Sequence, residues 1–206
     1  INRPHMKFIF TSVFLVLFMG INAQEQLLLL NGKVFTGNAI DTTGLKVVFE
    51  RINSSNKNKM MSYYRDEVFS IQYANDEKVF FFPSEFYDED YTIENMRMVV
   101  YGKRDARYHY KTKWVLPTGA AVGFLSAYFS KGSVFTLFVP LLYTGIVQIP
   151  VVKIQKESIS SVDFIGNEFY KEGYNRLARS KRTKHALVSS ICGVLAGLLT
   201  YELTTN

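Results

Sequence analysis

Between residues 24 and 84 apolar and polar positions alternate with the two-residue period of strands, and turn residues interrupt them at short intervals. Leu27-Leu28-Leu29-Leu30 runs into the turn pair Asn31-Gly32. Val34 to Gly37, Leu45 to Glu50 and Met60 to Tyr64 are further extended stretches. Val68 to Tyr73 sets Val68, Ser70 and Gln72 opposite Phe69, Ile71 and Tyr73, and Val79 to Phe82 stops at Pro83. Five or six strands this short predict a small closed barrel or a sandwich, with Phe69, Ile71 and Tyr73 facing inward and Gln72 outward. The segment Leu30-Asn31-Gly32-Lys33-Val34-Phe35-Thr36-Gly37 looks like the opening of SH3-like and Sm-like barrels, which implies that fold and no activity.

The period then changes. Residues 85–113 read as an acidic linker followed by a helix capped by Thr92, with Ile93, Met96 and Val100 on one face and a basic, aromatic second half reaching Lys113. Glu85, Asp88, Glu89 and Asp90 suit a helix-leading linker better than a calcium loop, whose glycine and terminal glutamate are missing. After Trp114 come three nearly charge-free segments: Val115 to Phe129, Val134 to Val152 and Ala186 to Leu203. The first two predict an apolar helical hairpin over 114–152. Residues 153–184 read as a basic connecting segment and 185–206 as a C-terminal apolar helix. A spanning helix needs about 17–20 residues, which the second and third segments reach and the first reaches only with Trp114 and Ser130. The fold class is therefore α+β: a small β-barrel or sandwich, then a helical membrane region of two to three apolar helices.

At the other end, residues 1–23 read as a leader. Translation starting at Met6 gives Lys7, an apolar core from Phe8 to Met19, and Gly20-Ile21-Asn22-Ala23 as a cleavage site before Gln24. The net charge of +6 is clustered rather than spread. Five Lys or Arg lie between 103 and 113 and eight between 153 and 184, with only Lys131 at the hairpin tip. Basic residues interleaved with Tyr108, Tyr110 and Trp114 beside an apolar segment point to a membrane interface rather than nucleic acid. Two signals conflict here. Charge bias would place the basic stretches, and the β-domain with them, in the cytoplasm, whereas the leader exports the β-domain; we follow the leader.

Gly119-x-x-x-Gly123 and Gly193-x-x-x-Gly197 put small residues on one helix face, a packing surface in lipid. A faint internal repeat joins them: Gly102 and Gly173 each begin a stretch that turns basic, then apolar, then reaches its glycine pair. The order of Tyr101-Gly102-x-x-Asp105-Ala106, an apolar hairpin, Gly173-Tyr174-x-x-x-Ala178, a basic run and a final apolar helix resembles uncharacterised envelope proteins of Bacteroidota. The resemblance implies an envelope location, in the inner or outer membrane, and no activity. Tyr101, Gly102, Asp105, Ala106, Gly173 and Tyr174 are the candidate interaction residues.

No catalytic motif, phosphate loop or dinucleotide fingerprint appears, and one cysteine, Cys192, excludes an intramolecular disulfide. The expectation is a non-enzymatic envelope membrane protein without cofactor or metal. Its exported, periplasmic β-domain would bind a protein partner or a second copy, with membrane lipids around its helices. The alternative is a small oligomeric pore or transporter subunit built from the glycine-bearing helices, with Gln148, Ser126, Thr144 and Ser190 as its only polar liners.

Overall fold

The computed structural model describes residues 24–52, 58–83, 91–131, 133–154, 157 and 159–205. The leader and the acidic residues Glu85, Asp88, Glu89 and Asp90 lie outside them. The chain is α+β and divides into two units, one of residues 24–28 and 34–80 and one of residues 29–33 and 81–205.

The first unit is an antiparallel sheet. Its strands are β1 (Glu25–Leu29), β2 (Val34–Asp41), β3 (Lys46–Arg51), β4 (Lys59–Tyr64), β5 (Val68–Gln72) and β6 (Glu77–Val79). β1 to β4 form a meander, a three-residue turn of 3-10 helix follows, and β5 returns beside β1, giving the order β4-β3-β2-β1-β5-β6. The expected barrel or sandwich is corrected here: the described residues form one six-stranded sheet, and it is open. Closure would require β4 to pair with β6, and the described residues show no such pairing.

Phe69 and Ile71 are fully buried and Gln72 is exposed, while Tyr73 lies beyond the strand and is only half-buried. Val68 and Ser70, on the opposite face, are buried as well. A strand covered on both faces does not show its burial as alternation. Gly32, at the β1–β2 turn, has φ +77°, a conformation that a side chain disfavours.

The second unit is helical. It contains α1 (Ile93–His109), α2 (Val115–Phe129), α3 (Val139–Gln148) and α4 (Glu168–Thr205). Thr92 caps α1, its hydroxyl accepting from the Asn95 amide at 3.2 Å. Tyr110 is extended, so the helix stops at His109, short of Lys113. The hairpin turn carries Lys131 at φ 52°, and a 3-10 turn over Val134–Phe138 leads into α3, which has Pro140 in its first turn.

Two sequence expectations change. The segment from Val134 to Val152 is a 15-residue run of 3-10 turn and helix ending before Pro150, and α2 also has 15 residues, so neither reaches spanning length by itself. Residues 168–205, by contrast, form one continuous 38-residue helix, roughly 57 Å long, rather than a basic connector followed by a separate helix. The basic run holds good helix formers and no proline, so the composition changes at residue 185 while the backbone continues.

Both α1 and α2 pack along α4. Gly102 lies against Tyr170 and Tyr174, and Gly173 against Val99. Further along, Gly119 meets Ser189, Gly123 meets Ser190 and Val194, Gly193 meets Ala120, and Gly197 meets Phe124. The numbers rise together along α2 and α4, and from Val99 against Gly173 to Ala106 against Lys181 along α1 and α4, so α1 and α2 run parallel to α4. The two stretches that share the glycine pattern are thus each other's packing partners, and both basic stretches lie at the same end of the apolar helices.

Candidate functional site

Where α1 crosses α4, the absence of a Cβ at Gly102 and Gly173 decides the geometry. A methyl at Gly102 would strike the carbonyl oxygen of Tyr170, and one at Gly173 the carbonyl oxygen of Val99. The close approach seats Tyr170 and Tyr174, both with no exposure, against Ala106, Val152 and Ala178, with Phe164 and Tyr110 at the edges.

Asp105 is buried in this crossing, 1 % exposed. A carboxylate there needs donors on every side. It accepts from the Tyr170 hydroxyl at 2.8 Å, the Ser160 amide at 2.7 Å, the Ser160 hydroxyl at 2.6 Å and Arg104 Nε at 3.2 Å. Arg104 Nη2 also donates to Ser160 Oγ at 2.8 Å, closing the network. Burial, followed by the hydrogen bond to Asp105, holds the Tyr170 hydroxyl protonated far above the usual tyrosine range. Among the described residues no imidazole or thiol hydrogen-bonds to these groups. The arrangement ties α1, the loop at Ser160 and α4 together.

The candidate interaction residues therefore converge on one place. Gly102, Asp105, Ala106, Gly173 and Tyr174 are buried at the α1–α4 crossing, and Tyr101, half-buried, packs on Phe164. Their contacts are internal. Gly119, Gly123, Gly193 and Gly197 occupy the α2–α4 contact, all buried.

Sequence reasoning missed the work of the basic run. Lys181 Nζ donates to the carbonyls of Ala106, Arg107 and Tyr110 and so closes the C-terminus of α1. Arg182 donates to the Tyr110 hydroxyl and to the carbonyls of Val147 (3.2 Å) and Pro150 (2.7 Å), closing the end of α3. A cation at a helix C-terminus meets the negative end of its dipole and its unpaired carbonyls. The one available signal was indirect: neither helix ends in glycine or asparagine, so each needed a cap from elsewhere.

A cavity of about 550 Å³ lies beside α1 and α4, lined by Leu30, Asn31, Tyr91, Met96, Lys103 and Arg176 among others. Lys103 donates to the Leu30 carbonyl at 3.1 Å, and burial, then Arg176, pulls its ammonium pKa below the usual lysine range. The Tyr91 hydroxyl bonds both carboxylate oxygens of Glu172 at 3.0 Å. Among the described residues no group of three or more His, Cys, Asp or Glu is placed to hold a metal ion.

Compared with known protein families, characterised sequences and solved structures, this chain matches none.

Proposed function

We propose that this chain is a non-enzymatic membrane protein of the bacterial cell envelope, in which the helices anchor an exported β-sheet module that binds a protein partner or a second copy. One observation carries the membrane part. α4 is long and apolar enough to cross a bilayer, and only 33 % of its apolar 18-residue stretch is buried. Its buried face is small (Ser189, Ser190, Gly193, Gly197), while Val188, Ile191, Leu195, Leu199 and Leu203 are exposed. A helix in the core of a water-soluble protein would turn those faces the other way. Close packing through small residues with large apolar groups outward is how helices associate in lipid. The exposed residues continue the pattern on α2 and α3, at Leu125, Phe129, Leu141, Leu142 and Ile146. The apolar part of α4, residues 186–203, is roughly 27 Å long, close to the ~30 Å hydrocarbon core.

The anchor is favoured over the pore by the hydroxyls that would have lined a path. Ser126, Thr144 and Ser190 each donate to a carbonyl of their own helix, at 2.8, 2.7 and 2.7 Å. The envelope address and the periplasmic side for the β-module rest on the leader at residues 6–23 and on the resemblance to Bacteroidota proteins.

Fractionation of cells expressing the tagged full chain tests the proposal. The chain is expected in the membrane pellet after alkaline carbonate extraction, beginning at Gln24 by N-terminal sequencing. Release into the carbonate supernatant would defeat the anchor, and reproducible single-channel currents from the purified protein would favour the pore.

A further inference from the structure

A second cavity, of about 400 Å³, opens where the basic end of the helical unit meets the apolar hairpin. Two kinds of surface line it. Among its lining residues, Lys111 and Lys113 are exposed and Trp114 is 80 % exposed. Its wall is built from Val115 on α2, Ile146 and Val147 on α3, and Pro150.

The polar groups on that wall are already engaged. The Thr118 hydroxyl donates to the Trp114 carbonyl at 2.6 Å, the Tyr143 hydroxyl meets Thr118 Oγ1 at 2.6 Å and the Val115 carbonyl at 3.1 Å, and Arg182 is held on Tyr110, Val147 and Pro150. The wall therefore presents apolar surface, and the charge it leaves free is the pair of lysines. No carboxylate lines the cavity.

We propose that this cavity seats one anionic phospholipid, its phosphate between Lys111 and Lys113 and an acyl chain along Val115, Ile146 and Val147. The inference rests on the membrane reading above and adds a specific lipid site to it. Complementarity selects the occupant. An anionic headgroup answers two lysines at headgroup depth beside an interfacial tryptophan, and only a ligand with an apolar tail also answers the wall. A zwitterionic lipid would bring its own cation to the lysines.

Trp114 is the only tryptophan of the chain, so its emission reports this site. The purified full chain is reconstituted in phosphatidylcholine vesicles carrying a minority of either brominated phosphatidylglycerol or brominated phosphatidylcholine. Brominated phosphatidylglycerol is expected to quench Trp114 at mole fractions roughly thirtyfold lower, the selectivity that two lysines confer near an anionic group. Lys111→Gln with Lys113→Gln should erase the preference, Lys131→Gln at the hairpin tip should keep it, and excess inorganic phosphate should not restore emission. Equal quenching by the two lipids, a preference surviving the double substitution, or relief by inorganic phosphate would each overturn the site. A chain that floats with vesicles but shows no preference defeats only this inference, whereas a chain that does not float defeats the membrane reading as well.

Discussion

Asp105 on α1 accepts a 2.8 Å hydrogen bond from the hydroxyl of Tyr170 on α4, 65 positions further along the chain. The bond lies at the crossing that Gly102 and Gly173 permit, so a carboxylate, a phenol and two missing side chains form one structural unit.

Replacing the carboxylate should therefore act on stability. In Asp105→Asn one acceptor becomes a donor facing Ser160 or Tyr170, and Arg104 loses its ion pair. A loss of roughly 1–3 kcal/mol is expected. Thermal unfolding in detergent, followed by circular dichroism, should show a lower midpoint. An unchanged midpoint would show that the network is dispensable.

The same bond gives a pH dependence with a definite sign. Burial, then the Asp105 carboxylate, raises the folded-state pKa of Tyr170 above its ordinary 10.0. The folded state then holds its proton more tightly than the unfolded state. The contribution is complete below the unfolded pKa and is lost as pH rises above it. The unfolding midpoint should fall on the alkaline side of pH 10, and Tyr170→Phe should flatten that fall while lowering stability at neutral pH. Identical alkaline slopes would remove Tyr170 as the cause.

The glycines separate into two groups. Gly193→Ala places a methyl against the backbone carbonyl of Ala120, and Gly193→Leu cannot be seated without parting α2 from α4. Gly145, in α3, has nothing within 4 Å of an added Cβ. Gly145→Ala should stabilise by about 0.4–1 kcal/mol, because the unfolded chain loses freedom and the helix gains a better former. Unfolding midpoints of the two alanine variants should move in opposite directions.

Arg182→Lys tests whether the basic run closes helix ends. The guanidinium uses Nε and both terminal nitrogens on Tyr110, Val147 and Pro150, a fork that an ammonium cannot reproduce. Charge is conserved, yet stability should fall by roughly 1–3 kcal/mol, the cost of leaving partly buried acceptors unpaired. If charge alone mattered, the lysine variant would match the parent and only Arg182→Gln would be destabilised.

Local chemistry was legible in the sequence wherever neighbours in the chain decide it. The Asn31-Gly32 turn, the short strands, the Thr92 cap and the apolar character of residues 186–203 follow from side-chain type and spacing, because backbone conformation and hydropathy are set within a few residues. The glycine pairs were visible as small faces for the same reason. Contacts between distant segments were decided only by the tertiary structure. The sheet is open because β4 and β6, its two edge strands, do not pair with each other, and which strands meet is not a local property. α4 runs unbroken through the change in composition at residue 185, because a basic run and an apolar run propagate a helix equally well. From the sequence Asp105 is a carboxylate amid cations, suited to pair with Arg104 or Arg107, and the Arg104 pair forms, while Lys181 and Arg182 are simply members of a basic run. A buried carboxylate finds Ser160 and Tyr170, and a helix end finds its capping cation, only after α1 and α3 have docked on α4. Those partners are far apart along the chain, and no local pattern records which of them will meet.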